Sequence, residues 1–205
     1  MSTPNNQPTF SIITTVSDQA NALAANMPTL LTQQYEGYEV IVVDESSTDG
    51  SVDILKQLKA THSHLYTTFL PKFQFQKNRR RLAFTIGLKA AKNEWIVFTD
   101  IDAAPASTQW LMELSEHCDG TAILQLGYIN KKSGDVQLRA FDNIESASSL
   151  ISKAERWRAG IGHGSWMRHL KKSVNYDFMA VRADHGHELL KLFALDPQTL
   201  VPKER

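Results

Sequence analysis

Short apolar runs alternate with helix-like stretches through the first half of the chain. Phe10 to Val16 (F-S-I-I-T-T-V) is brief and β-branched, the pattern of a strand. Asp18 stands where it can cap a helical stretch with Leu23, Met27, Leu30 and Leu31 on one side. Pro28 within that stretch predicts two short helical pieces or a kink. Glu39 to Val43 (E-V-I-V-V) reads as a buried strand running into Asp44 and Glu45. The loop S-S-T-D-G then offers several capping residues to a helix with Val52, Leu55 and Leu58 at helical spacing. Residues 62–78 follow no regular period and are rich in aromatics. Arg79 to Ala91 is helical again, with Leu82, Ala83, Ile86 and Ala90 inward, and Asn93 is a stop. Trp95 to Thr99 is a third apolar strand, leading into Asp100-Ile101-Asp102. Ser107 then caps a helix with Trp110, Leu111 and Leu114.

Three β–α alternations within a hundred residues predict an α/β fold, a parallel sheet with helices on both faces. The second half changes character. Thr121 to Gln125 and Val136 to Leu138 flank K-K-S-G-D, which reads as a hairpin turn. Asp142 to Arg158 reads as a surface helix. Gly160, Gly162 and Gly164 mark a loop, followed by a basic patch of Arg168, Lys171 and Lys172. Residues 1–9 read as a disordered tail, and residues 10–205 as a single domain with a first half at 10–118 and a second at 119–205.

Composition narrows the partners. Lys+Arg and Asp+Glu both number 22, so the chain carries no net charge. That argues against a nucleic-acid or membrane surface reached through bulk charge, and leaves an anionic ligand to local chemistry. Cys118 is the single cysteine, which excludes an internal disulfide and makes the cytoplasm the simplest compartment. The polar start, M-S-T-P-N-N-Q-P-T, lacks the basic and apolar regions of a secretory signal. No transmembrane segment is expected, although a peripheral membrane contact is left open.

In open parallel sheets, ligands bind beyond the carboxyl ends of the strands. Three predicted strands end there in polar groups: Thr14 and Thr15, Asp44 and Glu45, and Asp100 and Asp102. Carboxylates gathered at one edge repel one another unless a cation or a hydrogen-bonding ligand joins them. If D-I-D stays extended, Asp100 and Asp102 point to the same side. Two hard oxygen donors there suit Mn2+ or Mg2+, which keeps positions open for phosphate oxygens. A D-x-D alone fits a strand cap equally well.

Three strings in order raise its weight: Y-E-V-I-V-V-D-E-S-S-T-D-G-S, R-L-A-F-T-I-G-L-K-A-A and W-I-V-F-T-D-I-D-A-A-P-A-S-T-Q-W-L. Together, over roughly residues 10–115, they resemble the nucleotide-sugar-binding half of family 2 glycosyltransferases, which have the GT-A fold. The resemblance implies an inverting, metal-dependent transferase moving a sugar from a nucleotide diphosphate donor, usually a UDP-sugar, to a carbohydrate or lipid-linked acceptor, often in cell-surface polysaccharide synthesis. It implies that Asp44 contacts the nucleotide base, with Glu45 replacing a commoner aspartate. Thr15 to Ser17 would pack on the nucleoside, although the family usually has proline where this chain has Thr15. The basic run Lys77, Arg79, Arg80 and Arg81 would lie near base and phosphates, Arg81 foremost. Asp100 would face the ribose and metal region, and Asp102 would ligate the metal.

The same resemblance calls for an acid in the second half as general base, taking a proton from the acceptor hydroxyl. The family's usual acidic motif is absent. N-Y-D-F-M-A-V-R is similar to the strand that precedes it, and after it only Asp184 and Glu188 are candidates, both also readable as surface acids. A non-catalytic nucleotide-sugar-binding relative is therefore the alternative. V-V-D-E is also similar to response-regulator receiver domains, but the acid pair follows the second strand and not the first. The pairs His62/His64 and His185/His187 lack the further ligands of a zinc site. G-I-G-H-G follows a helix and is a poor match to a phosphate-binding loop, so a mobile loop over the donor is its reading. Trp157 and Trp166 read as packing residues.

Overall fold

The computed structural model describes residues 7–71, 79–103, 105, 107–118, 120–129, 135–146 and 178–192. Seven strands form one mixed sheet. β1 (Phe10–Val16), β2 (Tyr38–Asp44), β3 (Leu65–Phe69) and β4 (Trp95–Thr99) run parallel. β5 (Leu124–Ile129) and β6 (Val136–Phe141) form an antiparallel hairpin. β7 (Phe178–Arg182) enters antiparallel between β4 and β5, giving the order β3-β2-β1-β4-β7-β5-β6.

The expected hairpin is present, with a first strand that starts three residues later and runs longer than its sequence pattern suggested. N-Y-D-F-M-A-V-R does supply a strand. One element differs: residues 62–78 read as irregular, yet β3 lies among them. It is an edge strand, Leu65 buried and Phe69 exposed, so it lacks the continuous apolar run that marks the strands inside the sheet.

Helices cover both faces. α1 (Ala20–Leu31), α2 (Ser51–Thr61) and α4 (Trp110–Ser115) pack with Phe10, Ile12, Val40, Val42 and Val97 on one side. α3 (Arg79–Ala90) and α5 (Gly186–Leu192) pack with Ile13, Ile41, Ile96, Phe98 and Val181 on the other. α1 is one helix with Pro28 inside it. It does not divide into two pieces, because Leu23, Met27, Leu30 and Leu31 bury along its length, and packing outweighs the lost backbone bond. On α3 the inward stripe runs through Ala83 and Gly87, while Leu82 faces out. A methyl group at Gly87 would sit 2.4 Å from Ile13 Cγ2, so the missing Cβ lets α3 lie directly on β1.

Pro8 and Thr9, expected in the tail, are tied into the fold. Tyr35 OH donates to Pro8 O at 2.5 Å, and Trp95 N donates to Thr9 O at 2.9 Å. The surface helix expected over residues 142–158 lies mostly outside the described residues, as do the glycine loop, the basic patch at 168–172, Trp157 and Trp166.

Candidate functional site

Parallel pairing of β1, β2 and β4 delivers three chain turns to one edge of the sheet. Val16 pairs with Asp44 and Ile13 with Phe98, so the polar ends of all three strands emerge together. Asp44 is buried at 4% exposure. Ser47 N donates to its two oxygens at 3.3 and 3.2 Å, long bonds that leave the carboxylate acceptor capacity. Thr15 is buried beside it and Ser17 is exposed. Glu45 is half-buried, and its N–H donates to Val16 O at 2.8 Å, which carries the pairing one residue past the strand.

The acids after β4 do not follow the extended geometry expected of them. β4 ends at Thr99, and Ile101–Ala103 forms a 3-10 turn. The same-side argument for Asp100 and Asp102 needs extended backbone through Ile101, and the turn that starts there removes that premise. The turn exists because Ile101 buries, at 1% exposure, against the α1 side of the core. Asp100 is left half-buried and Asp102 exposed on its rim.

Polar side chains from the loops bind these turns to each other. Asp18, at φ 50°, accepts Thr48 N at 2.6 Å and Thr48 Oγ1 at 3.1 Å, while its own N–H donates to Ser47 Oγ at 3.0 Å. Asp18 therefore holds the neighbouring loop and does not cap α1. That cap is Asp49, whose Oδ2 accepts Ala20 N at 2.7 Å. Hydrogen bonds from the Ser51 hydroxyl and then the Ala20 N–H hold the Asp49 carboxyl below the usual carboxylate range. Gln19 spans to the third turn, its Nε2 donating to Asp102 Oδ2 at 3.0 Å.

Arg79 is committed to the scaffold. Its guanidinium donates to Glu45 O at 2.8 Å, Pro71 O at 3.2 Å and Leu70 O at 3.3 Å. Ser46 Oγ also donates to Leu70 O, fastening the end of β2 to the end of β3. Lys77 lies outside the described residues, as do the side chains of Arg80 and Arg81.

The two acids considered as a general base are not brought to this edge. β7 runs antiparallel to β4, pairing Arg182 with Trp95 and Phe178 with Thr99. Asp184 and Glu188 follow Arg182 and so sit at the opposite end of the sheet. β4 is five residues long, which separates the two edges by about 15 Å. Both are exposed and engaged locally, Asp184 with Arg182 Nη2 at 3.2 Å and Glu188 with His185 Nδ1 at 3.1 Å. This placement follows from strand direction, which a reading of spacing along the chain does not contain.

Asp100 and Asp102 offer hard oxygen donors suited to a small divalent cation that takes its remaining ligands from water and phosphate. Asp102 Oδ2 is occupied by Gln19, and no hydrogen bond to Oδ1 is found among the described residues. No set of three or more His, Cys, Asp or Glu that could hold a metal ion converges among the described residues. The donor set fits Mn2+ or Mg2+ bound jointly with a ligand. Gln19 and Asn26 shape the edge and escaped the sequence reading, because nothing local marks a polar side chain that bonds a distant loop, while Asp18, Asp49 and Arg79 were read for local caps or phosphate contact and not for the loop-to-loop bonds they make.

Comparison with known proteins agrees with the architecture. The family model described as Glycosyl transferase family 2 matches residues 11–175. An uncharacterized glycosyltransferase of Haemophilus influenzae is 31% identical over 97 residues, 47% of this chain and 37% of its own length. The putative teichuronic acid biosynthesis glycosyltransferase TuaG of Bacillus subtilis is 26% identical over 98 residues, 48% of this chain and 37% of its own. In structure, the mannosyltransferase PcManGT from Pyrobaculum calidifontis, solved with GDP-Man and Mn2+, superposes with a TM-score of 0.59 at 20% identity. That likeness covers 91% of this chain and 48% of PcManGT, and it is a likeness of the GT-A fold. The chain thus spans less than half the length of each of these proteins.

Proposed function

Because the chain belongs to glycosyl transferase family 2, we propose that it is an inverting, metal-dependent glycosyltransferase moving a sugar from a nucleotide diphosphate donor to an acceptor hydroxyl. The observation that carries this reading is the placement of Asp44, Glu45, Asp100 and Asp102 at strand ends and in loops along one carboxyl edge of β1, β2 and β4. Four acids gathered at the loops beyond parallel strands make poor packing and a good ligand edge.

Each residue then has a task. Asp44, buried with unused acceptor capacity, takes an N–H of the nucleotide base. Thr15 and Ser17 flank the nucleoside, Glu45 closes the same loop, and Arg81 serves the phosphates. Asp100 faces the ribose and the metal region. Asp102, with Asp100 beside it, would hold Mn2+ or Mg2+, which when bound offsets charge on the departing diphosphate. The presence of GDP-Man and Mn2+ with PcManGT supports a nucleotide sugar and a divalent metal as the ligand class. A UDP-sugar is the donor proposed here, and the acceptor is a carbohydrate or lipid-linked hydroxyl. TuaG supports a role in cell-surface polysaccharide synthesis. No described helix is long and apolar enough to cross a membrane. Cys118, buried and the chain's single cysteine, supports work in the cytoplasm, within a single GT-A domain over residues 10–205.

A second reading has one observation in its favour. Asp184 and Glu188, the acids expected to supply a base, stand at the far edge of the sheet. A nucleotide-sugar-binding relative without turnover would have this arrangement.

Thermal shift with UDP, GDP and dTDP, each with and without Mn2+, tests the site. One nucleotide is expected to raise the melting temperature in a metal-dependent way, and Asp102→Ala to abolish the effect. No response to any nucleotide would overturn both readings. Release of nucleoside diphosphate from the matching sugar donor separates the transferase from the binder.

A further inference from the structure

The turn that carries Asp102 is gripped by α1. Gln19 is the N-cap of that helix, and Asn26 lies two turns further along, so both project from one side of it. Asn26 Nδ2 donates to Ile101 O at 2.8 Å, and Gln19 Nε2 donates to Asp102 Oδ2 at 3.0 Å. Between them along the helix, Leu23 is fully buried in the apolar cluster that also takes Ile101. One stripe of the helix therefore holds two successive residues of the turn, by a backbone carbonyl and by a carboxylate.

The residue type at position 19 suits a particular task. An exposed aspartate that is to bind a cation must be oriented without losing its charge. A lysine or arginine partner would orient it but compete with the cation, and a glutamate would repel it. A neutral amide donates one hydrogen bond and leaves the charge intact. The amide is itself oriented, since Gln19 Oε1 accepts Ser17 N at 3.4 Å. With Oδ2 taken, Oδ1 is the oxygen left to an incoming cation.

We propose that Gln19 is a positioning residue for Asp102, fixing the carboxylate so that one oxygen is presented to a divalent cation. The inference rests on Asp102 being a metal ligand.

The test is Mn2+ titration followed by electron paramagnetic resonance, in the presence of whichever of UDP or GDP stabilises the wild type. Variants are Gln19→Ala, Gln19→Lys and Asp102→Asn, with melting temperature as the folding control. Gln19→Ala is expected to weaken Mn2+ binding by roughly tenfold while leaving the melting temperature of the ligand-free protein unchanged. Gln19→Lys is expected to weaken it further, because an ammonium holds the carboxylate but opposes the cation. Unchanged Mn2+ affinity in both Gln19 variants, with binding lost in Asp102→Asn, would overturn the positioning role and leave the metal site standing. Unchanged affinity in Asp102→Asn would overturn the metal assignment, and the positioning role with it.

Discussion

Asp49 Oδ2 accepts the backbone N–H of Ala20 at 2.7 Å, joining the loop after β2 to the start of α1 across 29 positions of sequence. The other oxygen accepts Ser51 N at 3.1 Å and Ser51 Oγ at 2.6 Å, at the start of α2. One carboxylate thus closes the first turns of two helices, where unpaired N–H groups and the positive end of the helix dipole both favour an anion. Asp49→Ala is expected to lower the melting temperature by on the order of 5 °C, as two capping contacts are lost together.

The same residue fixes a pH dependence. Its carboxyl titrates below the usual value of 3.8, so the unfolded chain binds that proton more tightly than the folded one. Its contribution to stability is complete above the unfolded value and is lost as pH falls through the lower folded value. The melting-temperature gap between wild type and Asp49→Asn should therefore be constant from about pH 7 to pH 5 and narrow below about pH 4. A gap that grew on acidification would contradict the assignment.

Gly127 and Phe178 pair across β5 and β7, and a methyl group at position 127 would sit 2.0 Å from Phe178 Cζ. The ring has little room to retreat, because it is 2% exposed and stands edge-on to Trp110 with centroids 5.0 Å apart. Gly127→Ala is expected to cost about 1–3 kcal/mol by overpacking, measured by urea unfolding. Adding Phe178→Leu should recover part of that loss, so the double variant is more stable than the sum of the two single changes. Simple additivity would show that the two positions are not in contact.

Much of this fold was legible in the sequence because buried strands announce themselves as unbroken apolar runs. E-V-I-V-V and W-I-V-F-T were read within a residue of their ends. β3 was not, since L-Y-T-T-F belongs to an edge and buries only part of its length. The site was legible as a set of strand-ending acids, but its geometry was not. The two-residue period assigned Asp100 and Asp102 to one side, and burial of Ile101 curled the chain into a tighter turn. Gln19 and Asn26 look like any polar residues on a helix until the turn they hold is known. Strand direction was the deepest gap: nothing near Asp184 reveals that β7 runs back toward the opposite edge.

Arg79 separates two meanings of a basic residue near an anion site. Its fork is spent on the carbonyls of Glu45, Leu70 and Pro71, so it braces the loop that follows Asp44. Arg79→Met keeps most of the aliphatic stem and removes the donors. It is expected to lower the melting temperature by about 2–4 °C and to weaken nucleotide binding through a looser loop. The salt dependence of nucleotide affinity should match that of wild type, because no charge–phosphate contact is lost. A clearly shallower salt dependence in Arg79→Met would instead make it a phosphate ligand.

Asp184 and Glu188 test how far strand direction governs function. Both are exposed, each is engaged by a neighbour on its own segment, and both lie beyond the end of β7 that pairs with the start of β4. A general base must come within hydrogen-bond reach of the hydroxyl it deprotonates, and about 15 Å of sheet separates these acids from the Asp102 edge. Asp184→Asn and Glu188→Gln, singly and together, are therefore expected to release nucleoside diphosphate from the matching sugar donor at rates within about twofold of wild type, since surface changes away from a site seldom exceed about 0.5 kcal/mol. Their pH–rate profiles should also superpose on the wild-type curve. A hundredfold loss of rate in either variant, with melting temperature and nucleotide affinity unchanged, would return that acid to the chemistry and require the second half of the chain to fold back over the edge during turnover.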